Sequence, residues 1–273
     1  MTYSVATFYK FVALPDCPEK QQQLIADSQH WSIRGTILLA PEGINGTIAG
    51  TPAAVNQALS ELRRDRRLAD LNVKTSTAAT WPFNQLKIKV KPEIVTFGHP
   101  EVNPQQQVGT YVEPQDWNDV IQDPEITLID TRNTYEVAIG TFQGAANPQI
   151  GSFRDFPNYV KTHLDPQKHP KVAMFCTGGI RCEKASAYLL QQGFEAVYHL
   201  QGGILNYLAA VPPEQSRWQG ECFVFDDRIA LGHNLEPGHY RLCGHCGYPI
   251  AQQTRVCPDC QTPQPEPSED EVT

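Results

Sequence analysis

Residues 171–206, KVAMFCTGGIRCEKASAYLLQQGFEAVYHLQGGILN, constrain the fold most, because an apolar strand, a glycine turn and a helix succeed one another around a cysteine. Residues 172–175 are short, continuous and apolar, as a buried strand should be, whereas Ala185, Tyr188 and Leu189 recur with a period near 3.6. Cys176 therefore falls at the C-terminal end of a strand. Thr177, Gly178, Gly179 and Ile180 can curl so that successive amide N–H groups point inward, and the helix N-terminus behind them adds positive potential. Such a cradle favours thiolate over thiol. Arg181, five residues after Cys176, adds a fixed positive charge. A cysteine at a strand end is ordinarily a small apolar packing residue, but the glycine pair, the arginine and the strand-to-helix context point to a reactive thiol. Cys182 opens the helix and is either a second, resolving thiol or a small helix-start residue.

The pattern C-x4-R between a strand and a helix resembles the rhodanese active loop. The similarity extends upstream to LIDTRNTYEVAIGTFQGAANP (residues 128–148), with its Asp-x-Arg strand end, and downstream to the Gly-Gly turn at the end of residues 193–203. Related phosphatases place one more residue between Cys and Arg, since phosphate needs a wider ring of amides than one sulfur atom. Four intervening residues argue for sulfur.

A chain of 273 residues exceeds one typical domain and predicts two, with a small appendage. Hydrophobic residues at 40% suffice for ordinary cores. There is no long apolar run, and the opening MTYSVATFYKF lacks a basic region followed by an apolar stretch, so a soluble, cytoplasmic protein without a membrane partner is expected. Of eight cysteines, four lie in two C-x-x-C pairs and one in the loop, which reads as metal binding plus catalysis in a reducing compartment. The formal net charge of −8 argues against a generic nucleic-acid binder. Glu266, Glu269, Asp270 and Glu271 supply four of those charges; without them 22 bases face 26 acids, or −4, which leaves room for a local basic surface.

Five segments follow: a ferredoxin-like, acylphosphatase-like domain over 1–98, a linker over 99–111, a rhodanese-like parallel α/β domain over 112–210, a C-terminal segment over 211–262, and a disordered acidic tail over 263–273. In the first, strands over 3–12, 34–40 and 47–49 and helices over 19–31 and from Thr51 onward give the order βαββαβ, with a turn over 41–46 and a last strand over 86–95. Alternation in KIKVK, residues 87–91, places Lys87, Lys89 and Lys91 on one face, either as a phosphate-tracking stripe or as edge-protecting charges on a solvated strand. Arg63, Arg64, Arg66 and Arg67 are explained by a helix C-terminus. Pro100, Pro104 and a glutamine run mark the linker. The aromatic segment over 218–228 is expected to pack back on the second domain; Cys222, Asp227 and Arg228 there either border the site or serve packing. Cys17 is assigned no role.

Cys243-Gly-His-Cys246 and Cys257-Pro-Asp-Cys260, ten residues apart, can present four thiolates tetrahedrally, as a closed structural zinc site requires. His245 is read as a bystander.

In this order, LKIKVKPEIVTFG, DTRNTYEVAIGTF, FCTGGIRCEKAS, LQGGILNYL and GECFVFDDR resemble the oxygen-dependent tRNA uridine(34) hydroxylases, a rhodanese-related family, over nearly the full chain. The resemblance implies hydroxylation at C5 of the wobble uridine in the tRNA anticodon loop, with O2 as co-substrate and 5-hydroxyuridine as product. It also implies that Cys176 is the active, persulfide-forming cysteine. The sequence shows no dinucleotide fingerprint and no facial metal triad, so the electron donor stays open. The chemistry expected of Cys176 is addition to C6 as thiolate or persulfide, with Arg181 and the loop amides lowering its pKa. Two other readings share these residues: a rhodanese-type sulfurtransferase carrying persulfide sulfur, and a non-catalytic RNA-binding module.

Overall fold

In the computed structural model, which describes residues 2–265, the chain opens as β1 (Tyr3–Phe11), α1 (Cys17–Ser28), β2 (Ile33–Ala40), β3 (Gly43–Gly50), α2 (Pro52–Arg63), β4 (Val73–Ala78) and β5 (Leu86–Val90). The five strands form one sheet in the order β4-β1-β3-β2-β5. β2 and β3 pair down to Ala40 and Gly43, so the hairpin turns on Pro41 and Glu42 alone and is tighter than the expected 41–46 turn. Thr51 caps α2 by accepting the Ala54 amide, with Pro52 in the first turn.

The strand that closes the βαββαβ unit is not the expected one. It is β4, antiparallel to β1, while β5 is an added strand, parallel to β2 at the opposite edge, that ends at Val90 rather than residue 95. β4 reads VKTSTA and has no continuous apolar face, because Val73 alone reaches the core while Lys74 and Ser76 lie on the side that faces the cavity. Strand alternation divides the sheet accordingly. Ala6, Phe8, Ile37, Leu39, Ile44 and Ile48 face α1 and α2, each large side chain contributing about 1.5–3 kcal/mol by burial. Thr7, Tyr9, Thr36, Asn45 and Thr47 face the other way, into the cavity.

The second domain comprises β6 (Thr110–Val112), α3 (Pro114–Gln122), β7 (Ile126–Asp130), α4 (Thr134–Val137), β8 (Gly140–Phe142), α5 (Phe156–His163), β9 (Lys171–Phe175), α6 (Ile180–Gln191), β10 (Ala196–Leu200) and α7 (Gly203–Ala210). Its parallel sheet runs β6-β10-β9-β7. Such a sheet is buried on both faces, which explains the unbroken apolar run of β9. One core holds Val172, Met174, Tyr188 and Leu189; the other holds Trp117, Phe142, Phe175 and Tyr207. The segment expected as a linker is strapped down: Val102 is 2% exposed in the first core, and the Gly109 amide donates to Ser186 Oγ at 3.0 Å.

β11 (Trp218–Gly220) pairs with β8 and sets Trp218 edge-on against Phe142, so the aromatic segment does pack back. β12 (Cys222–Phe223) pairs with β13 (Ala230–Leu231), and β14 (Tyr240–Leu242) with β15 (Pro249–Ala251). Residues 263–265, expected as the start of a disordered tail, are held on the appendage by a Pro263–Val256 bridge and the Gln264 amide on Arg255 O. The rest of that tail, 266–273, lies outside the described residues. Lys184 of α6, almost wholly buried, donates to Glu42 at 2.8 Å and Glu93 at 2.7 Å, joining the second domain to the first. No helix among the described residues is long and apolar enough to cross a membrane.

Candidate active site

Cys176 sits between β9 and α6, and its sulfur accepts the Gly179 amide at 3.1 Å. The nearby amides of Arg181 and Cys182 and the Cys182 thiol add to the stabilisation of its anion. The loop carbonyls are turned outward: Cys176 O and Thr177 O accept the Ile204 and Leu205 amides at the start of α7, and Gly178 O accepts Lys74 Nζ at 2.5 Å. With the acceptors engaged outside, donors face the sulfur. The Gly-Gly turn is sterically required, since a Cβ on Gly203 would lie 2.4 Å from Cys176 O. At Gly179, φ is +100° and a Cβ would meet Tyr9 Oη at 2.9 Å. Of the four expected amides, that of Gly179 donates to the sulfur, while those of Arg181 and Cys182, further along the chain, lie near enough to favour its anion. Thr177 contributes through its hydroxyl, 3.3 Å from Glu136 Oε1.

A reactive thiol needs an approach, yet Cys176 is 0% exposed and is reached only from the cavity whose wall it joins. Burial pushes its pKa up, but the Cys182 thiol, the Arg181 charge and the Cys182 and Arg181 amides outweigh burial and bring it down to about 5. Cys182 moves the opposite way, raised by burial and by the adjoining Cys176. Arg181 is not a free cation: Glu136, fully buried, takes it in two bonds of 2.6 and 2.8 Å. Burial pushes the Glu136 carboxyl up, but Arg181 holds it below its usual range, and the pair fixes the guanidinium in place. A second buried pair, Arg132 with Asp130 at 2.7 Å, is the Asp-x-Arg motif, and Arg132 also donates to Gly140 O.

The cavity measures about 820 Å³, within the usual range for ligand pockets. Its walls are the loop, the polar face of the first sheet, and a turn carrying Phe225 and Arg228. Lys74 is half-buried there; desolvation pulls its pKa down to about 8 against the opposing charges of Cys176 and Glu183. Glu183 accepts the Tyr9 and Tyr111 hydroxyls at 3.0 and 2.8 Å, and burial raises its carboxyl pKa. None of Lys74, Tyr9, Glu136, Glu183 or Phe225 was expected at the site.

Strand register carries the cavity floor across the sheet. Lys74, Thr7, Thr47, Thr36 and Lys87 form one lateral row, and Tyr9, Asn45, Leu38 and Lys89 the next. Lys87 and Lys89 are exposed at the far edge of that face, and Lys91 is exposed just beyond β5. The arginine cluster is tied into its own domain instead: Arg67 binds Asp16 and Asp65, and Arg63 caps Leu71 O. Of the three candidates in the aromatic segment, Arg228 lines the cavity; Asp227 turns its amide to Pro82 O, and Cys222 is buried with its pKa pushed up to about 12.

In the appendage, the sulfurs of Cys243, Cys246, Cys257 and Cys260 lie within 4.8 Å of one another, and the Cys243–Cys260 and Cys246–Cys257 separations are both 3.7 Å. A tetrahedron with metal–sulfur bonds of about 2.3 Å has edges of about 3.8 Å. The cluster thus fits a metal ion.

A βαββαβ sandwich joined to a parallel α/β domain with a C-x4-R loop defines a rhodanese-related protein. Residues 3–94 match the UPF0176 acylphosphatase like domain and residues 113–210 the Rhodanese-like domain. The chain is 57% identical to the tRNA uridine(34) hydroxylase of Picosynechococcus sp. (strain ATCC 27264 / PCC 7002 / PR-6), over 94% of this chain and 90% of that one. It is 55% identical to the protein of the same name from Synechocystis sp. (strain ATCC 27184 / PCC 6803 / Kazusa), over 95% and 96%. With that from Teredinibacter turnerae it shares 54%, over 96% and 85%. The chain belongs to the tRNA uridine(34) hydroxylase family.

Proposed function

We propose that this protein is a cytoplasmic enzyme that hydroxylates C5 of the wobble uridine, position 34, in the tRNA anticodon loop, with O2 as co-substrate. The observation that carries this reading is Cys176 on the wall of the cavity, its sulfur accepting the Gly179 amide on the loop that carries Arg181. A thiolate adds to C6 of uracil, and the electron pair it displaces makes C5 nucleophilic. One oxygen atom of O2 is retained at C5 as hydroxyl, the other leaves as water, and an external reductant supplies two electrons. Loss of the C5 proton then expels Cys176 and restores the ring. Arg181, the loop amides and the Cys182 thiol hold the sulfur as thiolate before and after addition. The wobble base lies in a single-stranded loop, so presenting it requires little unstacking. Lys87, Lys89 and Lys91 continue the cavity floor as contacts for backbone phosphates. Zinc, held by Cys243, Cys246, Cys257 and Cys260, folds the appendage and takes no part in the chemistry.

The test is tRNA bearing 5-fluorouridine at position 34, whose fluorine blocks the final loss from C5. A covalent protein–RNA species mapped to Cys176 by mass spectrometry is expected, and none with Cys176→Ala. Turnover of ordinary tRNA without any adduct would reject the covalent route. Rapid cyanide-dependent sulfur release without tRNA, and unchanged 5-hydroxyuridine in cells lacking the protein, would replace hydroxylation with sulfur transfer.

A further inference from the structure

Phe225 is the part of the cavity wall that this chemistry leaves unused. Its side chain is 63% exposed, whereas Phe223 and Val224 before it are buried. The turn that carries it is fixed at every side: Val224 N bonds Ile229 O, Ile229 N bonds Asp226 O, and Asp227 N bonds Pro82 O of the first domain. Arg228 holds Asp226 with bonds of 2.7 and 2.6 Å and reaches Ser76 Oγ at 2.8 Å. Ile229, a β-branched residue, has φ of +63°, a conformation that persists only where the surroundings over-determine it. The ring itself is oriented by Phe223, edge-on at 5.2 Å, and by the Arg181 guanidinium at 6.0 Å. A strained, fully tethered turn thus keeps an aromatic face uncovered at the wall that also contains Cys176.

The first sheet lines the same cavity with Thr7, Thr47 and Asn45, and with the Lys74 ammonium beside them. A ligand matched to both surfaces is flat, apolar on its faces and polar at its edge. A phosphate has no use for the ring, and an aliphatic chain has none for the hydroxyl row. The geometry points to Phe225 as the stacking platform for the uracil ring of the target nucleotide, a subsite that rests on the tRNA reading above. Base stacking on an aromatic side chain tolerates exchange between aromatic residues and does not tolerate an aliphatic one.

The experiment measures affinity for a synthetic, unmodified anticodon stem–loop with uridine at the wobble position, and for the same RNA with an abasic site there. Phe225→Ala and Phe225→Leu are expected to weaken binding about five- to 150-fold and Phe225→Tyr to keep it within about twofold. The abasic site should weaken wild type comparably but cost Phe225→Leu little more, because ring and base are lost as one contact. Wild-type affinity in Phe225→Leu, or losses that multiply, would overturn the assignment. Leucine preserves an apolar surface, so equal binding would mean a surface that docks something other than a base. Ring-dependent binding without 5-hydroxyuridine formation would keep the subsite and remove the hydroxylation; hydroxylation with ring-independent binding would do the reverse.

Discussion

Lys74 Nζ donates to the carbonyl oxygen of Gly178 at 2.5 Å, across 104 positions of sequence. The bond helps turn that carbonyl away from the sulfur and places an ammonium group where it favours the Cys176 thiolate. An edge strand of one domain thereby completes the reactive loop of the other.

Replacing Lys74 should show this directly. In Lys74→Met the Cys176 thiol is expected to titrate at higher pH, by about one pH unit for a cation at this range, while Lys74→Arg stays near wild type. With its pKa lowered to about 8, Lys74 is charged below that pH and neutral above it. Wild-type turnover should therefore decline above about pH 8, and that limb should vanish in Lys74→Met. The rate of iodoacetamide alkylation against pH, followed by mass spectrometry, measures the first effect.

The same assay reads the sulfur itself. Alkylation of Cys176 should reach half its maximum near pH 5 and be flat through neutrality, because the reactive species is the thiolate. Cys182→Ala removes a donor and should move the midpoint upward; Cys182→Ser, which keeps a hydroxyl donor, should lie between. The folded pKa is below the unfolded one, so thiolate formation contributes stability above about pH 8.5 that is lost as pH falls toward 5. A midpoint near that of a free thiol would contradict the cradle.

Glu136 is the buried partner that holds Arg181. Glu136→Ala leaves a guanidinium without its counter-charge, and destabilisation of about 3–5 kcal/mol is expected from urea denaturation. Glu136 has a depressed pKa, so its contribution is present above the unfolded carboxylate range and lost on acidification. The variant's deficit should accordingly shrink as pH falls.

The four-cysteine cluster predicts one zinc per chain, released by mercurial titration and counted with a metallochromic dye. Cys257→Ser should abolish retention and increase hydrogen exchange within residues 240–265, while Cys176 alkylation is unchanged. Altered Cys176 reactivity would show that the appendage supports the loop as well.

Legibility followed sequence distance. The loop from Cys176 to Arg181 was readable because strand, glycines and helix lie side by side in the chain. Glu136 stood within a recognisable motif, but nothing local says that it reaches Arg181, 45 residues on. Lys74 was invisible because VKTSTA has no continuous apolar face; β4 spends one side on the cavity, which removes the alternation by which strands are found. The closing strand was consequently misplaced onto 86–95, where hydrophobic alternation is strong. Phe225 read as one more aromatic packing residue, since exposure is not written in composition. Nor does the loop's sequence say that its sulfur is fully covered, because the residues over it, Tyr9 and Lys74, belong to the first domain.

That roof has a consequence for synthesis. The sheet carrying Tyr9 and Lys74 leaves the ribosome first, the nucleophile follows about a hundred residues later, and the turn bearing Phe225 and Arg228 emerges last. A nascent or truncated chain ending before that turn has its floor and its sulfur but no lid, so the half-built compartment leaves its most oxidisable atom open from a side that the finished protein covers.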